Sequence, residues 1–204
     1  VGGDLYDVIG FDDGRLVIIT GDVAGKGVPA ALYMALVTSL LHATAKAGAS
    51  PKQVVNIVNN HLFERDMDSM FVTLLYVELN FSARSLTYVR AGHDAPLIWN
   101  SRGKRVSLNS DRSIALGLVE NPPLDIQTLT LEPGSTILTF TDGVTEAMNP
   151  TGELFGSRQL ETYALSLLRE SAQGICDKIV EALFSHMNAS PQSDDITILA
   201  LQLE

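Results

Sequence analysis

Aspartates stand at the ends of several predicted strands. Asp4 opens the first strand, Asp22 follows the second in a glycine-rich loop, Asp142 follows a later strand, and Asp194 and Asp195 precede the last. If these strand ends meet at one edge of a sheet, the carboxylates repel one another unless a cation neutralises them. Oxygen-only ligands favour magnesium, manganese or calcium. The pattern therefore indicates a site for hard divalent cations.

Each aspartate taken alone has an ordinary structural explanation. Asp142-Gly143 is also a common hairpin turn, Asp194 can end a loop, and Asp4 can lie on the surface of a strand. The metal hypothesis depends on their occurring together, each in a specific local sequence.

A nucleotide-binding P-loop is excluded by spacing. The glycine-rich loop runs Gly21-Asp22-Val23-Ala24-Gly25-Lys26-Gly27. A P-loop needs four residues between its first glycine and the Gly-Lys pair, followed by Ser or Thr. Here only three residues intervene and a glycine follows the lysine. The sequence also contains no Gly-x-Ser-x-Gly and no His-Glu-x-x-His.

Histidine and cysteine offer few further candidates. His42 and His61 lie on predicted helices, where packing or surface exposure is the expected role. His93 lies in a loop and is a candidate for proton transfer, although solvent is the default proton donor. The single cysteine, Cys176, rules out an internal disulfide and a cysteine-rich zinc site. On its predicted helix it is expected to be inert core.

The elements that position these residues form an α+β pattern. Alternating apolar residues predict strands, and apolar residues at helical spacing predict helices. Ser50 with Gln53 three residues later is a capping box at the start of a helix. A single α+β domain over residues 1–204 is the economical interpretation. The predicted strands are Asp4–Phe11, Arg15–Thr20, Phe71–Leu79, Leu86–Ala91, Leu97–Trp99, Arg105–Leu108, Ile126–Leu131, Thr136–Thr141 and Asp195–Leu203, and the predicted helices are Val28–Lys46, Ser50–Arg65, Ser157–Arg169 and Gly174–Met187.

Charge and hydropathy restrict the partners. With a formal net charge of −10, the chain is not expected to bind nucleic acid or an anionic membrane surface. No apolar stretch is expected to cross a bilayer, since polar residues interrupt the longest one, Val28–Leu41. The sequence begins without Met, so we expect it to be the C-terminal part of a longer regulatory protein. The single cysteine fits a reducing cytoplasm, which is the expected location.

Seven short motifs occur in order along almost the whole chain. They are Val1-Gly2-Gly3-Asp4-Leu5-Tyr6-Asp7, Gly21–Gly27 followed by Ala30-Ala31-Leu32, Met70-Phe71-Val72-Thr73-Leu74, Ala91-Gly92-His93, Thr141-Asp142-Gly143-Val144-Thr145-Glu146-Ala147, Phe155-Gly156 and Asp194-Asp195-Ile196-Thr197. In that order they resemble the SpoIIE/RsbU branch of the metal-dependent protein phosphatases, the bacterial relatives of the type 2C phosphatases.

The resemblance implies a four-layer sandwich of two antiparallel β-sheets flanked by α-helices. It also implies two divalent cations, manganese or magnesium. Asp22 would bridge the two cations, Asp142 and Asp194 would complete one site, and Asp4 and the backbone carbonyl of Val23 would help form the other. Asp195 is a further candidate ligand. Asp22 and Asp142 are the residues expected to matter most for catalysis.

The activity implied by the resemblance is hydrolysis of phosphoserine or phosphothreonine by a metal-activated water. The implied substrate is a phosphorylated anti-anti-sigma-like (STAS) protein in a partner-switching pathway, and a sensor or receiver domain upstream in the same chain is expected, as is a homodimer. Two alternatives stay open: a catalytically silent domain that binds a phosphoprotein, and a metal hydrolase of small phosphoesters.

Overall fold

The computed structural model describes residues 2–65, 70–109 and 112–204. The described residues group into two compact units: the first comprises those of Val1–Ala95 and Leu108–Leu131, and the second comprises Pro96–Ser107 and Glu132–Glu204. A single domain over 1–204 stays a prediction. In chain order the elements are β1 (Asp4–Gly10), β2 (Arg15–Val23), α1 (Val28–Lys46), α2 (Pro51–Glu64), β3 (Val72–Asn80), β4 (Ser85–Ala91), β5 (Leu97–Trp99), β6 (Asp125–Thr130), β7 (Thr136–Phe140), α3 (Asp142–Thr145), α4 (Ser157–Ser166), α5 (Ala172–Met187) and β8 (Ile198–Gln202).

The first unit is built on a five-stranded antiparallel sheet with the order β1-β2-β3-β4-β6. The turn between β1 and β2 contains Gly14 at φ 78°, a left-handed conformation that glycine adopts without steric cost. Both α1 and α2 pack against this sheet. Their inward side chains and the facing strand residues form one apolar core.

Helix α1 is apolar on more than one side. Its buried residues, Ala30, Tyr33, Val37, Leu41 and Ala45, recur at the three- and four-residue spacing of one helix face. Within the described ranges, α1 is the one helix long and apolar enough to cross a membrane by length and composition, which corrects the sequence-based expectation of none. The polar interruptions are too few to lower its hydropathy, yet its buried face belongs to the core of the first unit.

Helix α2 begins as its sequence predicts. The backbone amide of Ser50 donates to Oε1 of Gln53 over 3.0 Å, so the capping box is confirmed. The fully buried Asn59 then joins the helix to a loop: its side chain donates to the carbonyl of Val119 over 3.1 Å and accepts from the amide of Gly117 over 3.0 Å. These bonds satisfy a polar side chain that would otherwise be costly to bury.

The second unit contains a three-stranded antiparallel sheet with the order β5-β7-β8. Helix α5 packs on β8 and helix α4 packs on α5. Ser171 caps α5, since its Oγ accepts from the amide of Gly174 over 3.1 Å. The buried helix residues of this unit share one apolar cluster with the strands: Leu160, Ala164, Ile175, Ile179, Leu183 and Met187.

Several predicted boundaries were wrong. The predicted strand Arg105–Leu108 forms only an isolated bridge between Arg105 and Trp99, because the Arg105 side chain donates to the carbonyls of Ile98 and Val106 and the chain then leaves the sheet. The last strand begins at Ile198, three residues after Asp195, and the short helix α3 was not predicted.

Candidate metal centre

In the first unit Asp4 and Asp22 lie directly opposite each other. They are register partners in the antiparallel pair β1 and β2. Residues directly opposite on neighbouring strands point to the same face, with Cβ atoms about 5 Å apart. Asp22 is thus inside β2, not after it as predicted, and strand pairing itself brings the two carboxylates together.

The predicted turn contained the signal for this pairing. In a regular hairpin, partners are equally distant from the centre of the turn. Asp12-Asp13-Gly14 centres on Asp13, and both Asp4 (13 − 4 = 9) and Asp22 (22 − 13 = 9) lie nine residues away. The observed register agrees with this count.

Gly3 leaves room beside the pair. A Cβ atom at Gly3 would lie 2.5 Å from the carbonyl oxygen of Val23 and 2.8 Å from Oδ1 of Asp22, too close for any side chain. The Gly3 carbonyl accepts the amide of Val23 over 3.2 Å. The Val23 side chain is apolar and buried in the core, and the backbone carbonyl is the group of Val23 that can act as a ligand. Val1 of the same motif lies outside the described residues.

In the second unit Asp142 and Asp194 lie near each other. Burial raises the pKa of the Asp142 carboxyl above its ordinary value, and the neighbouring Asp194 carboxylate raises it further. Asp142 is the first residue of α3, and its carbonyl accepts the amide of Glu146 over 2.7 Å. The carbonyl is therefore committed to the helix, and the carboxylate is the group of Asp142 left to act as a ligand.

The segments that carry these two aspartates are bound together. The amide of Thr141 donates to the carbonyl of Thr197 over 3.1 Å, and the amide of Thr197 donates to Oγ1 of Thr141 over 3.1 Å. A Cβ atom at Gly143 would overlap the carbonyl oxygen of Asp195. Asp142-Gly143 thus begins a helix that packs closely against the segment containing Asp194 and Asp195, and it is not a hairpin turn.

Two backbone groups of Asp195 make contacts beside Asp194 and Gly143. Its amide donates to Oδ1 of Asp194 over 2.9 Å, and its carbonyl lies against Gly143. This hydrogen bond from the backbone amide orients the Asp194 carboxylate. A ligand role for the Asp195 carboxylate stays a prediction.

The donor sets of both pairs fit a hard divalent cation. Each pair places carboxylates close together, and Val23 adds a backbone carbonyl, all oxygen ligands. Among the residues that the structure describes, no three His, Cys, Asp or Glu side chains form a group that could hold a metal ion. Two carboxylates with carbonyls and waters suit magnesium, which keeps several waters when bound to protein.

The histidines on the helices occupy the expected positions. Nδ1 of His42 lies 2.6 Å from a carboxylate oxygen of Asp7 at the surface, and Nδ1 of His61 lies 2.9 Å from the carbonyl of Ile57. His93, by contrast, is buried and its Nδ1 lies 2.9 Å from Oγ1 of Thr73. Neither Thr73 nor this contact was identified as functional from the sequence, because the two residues are 20 positions apart.

Comparison with known proteins decides the family. The model of the family described as Stage II sporulation protein E (SpoIIE) matches residues 12–204. The chain belongs to the SpoIIE family. The resemblance inferred from the seven motifs is thereby confirmed.

Two named relatives illustrate the family. Protein IcfG of Synechocystis is 34% identical in an alignment that covers 98% of this chain and 36% of IcfG. Phosphoserine phosphatase RsbU of Bacillus subtilis is 28% identical over 98% of this chain and 59% of RsbU. The chain therefore spans only about a third to three fifths of these relatives.

Solved structures match the same fold. The SiaA-PP2C domain of Pseudomonas aeruginosa superposes with a TM-score of 0.87 at 26% identity, covering 100% of this chain and 82% of that one. The RsbU and RsbW domains of Rv1364c from Mycobacterium tuberculosis give a TM-score of 0.84 at 27% identity, covering 100% of this chain and 56% of that one. These matches confirm the predicted fold class, which is two antiparallel sheets with helices as in type 2C phosphatases. The named relatives also confirm that the family consists of protein phosphatases.

Proposed function

We propose that this domain hydrolyses phosphoserine or phosphothreonine on a regulatory protein, using divalent cations held by its aspartates. The observation that carries the proposal is the cross-strand pair of Asp4 and Asp22 beside Gly3, where two carboxylates and a carbonyl come together. The phosphoserine phosphatases RsbU and RsbP, each 28% identical to this chain, support the reaction type.

The ligands follow from the two pairs. Asp4, Asp22 and the carbonyl of Val23 would hold a cation in the first unit, and Asp142 and Asp194 would hold one in the second. The bridging role of Asp22 and a contribution from Asp195 are proposed from the family resemblance. Bound magnesium or manganese would supply a water of lowered pKa and offset the charge of the phosphoryl oxygens.

The chain's own groups prepare this chemistry. Gly3 and Gly143 allow the carbonyls of Val23 and Asp195 to approach the backbone next to Asp4 and Asp142. The Asp195 amide orients Asp194 by its hydrogen bond. Burial and the Asp194 carboxylate raise the pKa of Asp142, and a bound cation would oppose that shift by favouring the ionised carboxylate.

The substrate is proposed to be a folded phosphoprotein of the STAS type, within a partner-switching pathway in the cytoplasm. The relatives RsbU and RsbP and the pairing of RsbU with RsbW domains in the mycobacterial neighbour support this choice. The relatives' greater length supports a regulatory domain in the same chain, a sensor or a receiver. A homodimer is the proposed assembly, and no membrane insertion is proposed.

A second candidate is a catalytically silent domain that binds a phosphoprotein. It is favoured by the finding that, in the described part of the chain, no three acidic or histidine side chains form one group. It predicts phosphoprotein binding without turnover at any manganese concentration.

One assay separates the candidates. The purified domain is given manganese or magnesium with a phosphoserine protein, a phosphoserine peptide and p-nitrophenyl phosphate. We expect metal-dependent turnover with the highest kcat/KM on the phosphoprotein, and loss of turnover in Asp22→Asn. The control is Asp12→Asn, the same change in an exposed turn. A fully active Asp22→Asn, or turnover in excess chelator, contradicts the proposal.

A further inference from the structure

Buried and half-buried polar residues of the first unit form a continuous chain that ends at Asp22. Oγ1 of Thr73 donates to the carbonyl of Asp22 over 3.5 Å and lies 2.9 Å from Nδ1 of His93. Thr73 is also the register partner of Asp22 in β2 and β3. Strand pairing and a side-chain contact thus act on the same peptide group.

The Thr73 hydroxyl lies between two partners. Its contact with Nδ1 of His93 is the shorter, at 2.9 Å, and its contact with the Asp22 carbonyl is 3.5 Å, long for a hydrogen bond. A threonine hydroxyl has one hydrogen, so Thr73 can donate to the Asp22 carbonyl only when Nδ1 of His93 carries a hydrogen and donates to Oγ1. In that tautomer the imidazole holds the hydroxyl toward Asp22.

The backbone at His93 is held by contacts with Arg90 and Ala115. Its carbonyl accepts from Nη1 of Arg90 over 3.2 Å, and Nε and Nη2 of Arg90 lie 3.0 and 2.9 Å from Oδ2 of the fully buried Asp125. The preceding Gly92 has φ 67°, and a Cβ atom there would lie 2.8 Å from the amide nitrogen of Ala115. A partly buried ion pair and a close backbone contact therefore limit the movement of the His93 loop.

The consequence for the metal pair comes from strand geometry. Successive carbonyls along a strand point to opposite sides. Holding the Asp22 carbonyl toward β3 directs the Val23 carbonyl toward β1, where Gly3 lies against it. The Val23 carbonyl is the backbone ligand proposed above.

We propose that Thr73 and His93 are positioning residues, which set the direction of the Val23 carbonyl and of the Asp22 carboxylate for cation binding. This inference rests on the proposed function, since it concerns the same cation site. Groups that orient metal ligands typically contribute tenfold to a hundredfold in metal affinity or activity.

The test is calorimetric titration of manganese into the domain, which needs no substrate. Thr73→Val removes the hydroxyl and keeps the β-branched shape, and Thr73→Ser keeps the hydroxyl. We expect Thr73→Val to bind manganese about tenfold more weakly, and Thr73→Ser to bind within about twofold of wild type, since it retains the orienting bond. His93→Phe should weaken binding as Thr73→Val does, and the double variant should be no weaker than the weaker single one, because both act through one chain.

The outcomes separate the two proposals. If the wild-type domain binds no manganese, both are overturned. If wild type binds and Thr73→Val binds equally tightly, only the positioning role is overturned. Equal weakening in Thr73→Val and Thr73→Ser also overturns it, since the hydroxyl is then not the group that acts. Urea unfolding in chelator separates a loss of folded protein from a loss of affinity.

Discussion

Replacing Asp22 by Asn should make the metal-free domain more stable and the metal-loaded domain less stable than wild type. Asp22→Asn keeps the shape of the side chain and removes one charge of the Asp4 and Asp22 pair. At about 5 Å, two unit charges repel by about 0.8 kcal/mol in water and about 3 kcal/mol at an effective dielectric constant of about 20. Both residues are half-buried, so the repulsion lies between these limits.

The expected shifts are measurable. A gain of about 1–2 kcal/mol corresponds to a rise in Tm of about 2–8 °C for a domain of this size. In the wild type, manganese at about 100 times its Kd adds about 2.7 kcal/mol of stability. The variant loses a charged ligand and with it most of that gain. The order of the two Tm values therefore reverses between chelator and manganese.

Differential scanning fluorimetry in chelator and across a manganese series measures both effects. Asp12→Asn, in an exposed turn, should match wild type in every condition. At about 1 M salt the advantage of Asp22→Asn in chelator should shrink, since screening then acts within about 3 Å. The reasoning is refuted if Asp22→Asn is less stable than wild type in chelator, or if manganese raises its Tm as much as it raises that of wild type.

Two further predictions concern single residues. Burial and Asp194 raise the pKa of Asp142, so the folded metal-free domain binds this proton more tightly than the unfolded chain does. The stability of the folded state therefore falls as the pH rises above the ordinary carboxyl pKa. Asp142→Asn should flatten that fall, and Tm measured against pH in chelator checks it. Gly92→Ala should lower stability by about 2 kcal/mol or more, since it combines a left-handed φ with overlap at Ala115. Gly152→Ala, at φ 81° with open space around it, should cost only the backbone strain, about 1 kcal/mol; equal urea midpoints for the two variants would contradict the steric argument.

The sequence predicted most elements because their patterns are local. The alternation of β1, the continuous apolar run of β2, the apolar spacing of α1 and the capping box of α2 each depend on residues within a few positions. The failed predictions depend on distant contacts. The strand assigned from Arg105 is prevented by the hydrogen bonds of the Arg105 side chain to distant carbonyls.

The positioning chain shows the same limit. Arg90 and Asp125 are register partners, yet they are 35 residues apart and nothing local to either one indicates the other. The pairing of Thr73 with Asp22 likewise depends on the register of β2 and β3, two strands that are separated in the sequence by α1 and α2. Neither the motif that contains Thr73 nor the motif that contains His93 indicates that the two side chains are in contact.

Glycine next to aspartate has a physical meaning that the motifs alone do not give. In Gly3-Asp4 the missing side chain admits the carbonyl of Val23, and in Asp142-Gly143 it admits the carbonyl of Asp195. In both cases a backbone carbonyl from another segment lies against the residue next to an aspartate. Oxygen atoms gathered near a carboxylate favour a hard cation. Any side chain at Gly3 or Gly143 would push that carbonyl away, so the glycines as well as the aspartates belong to the proposed metal centre.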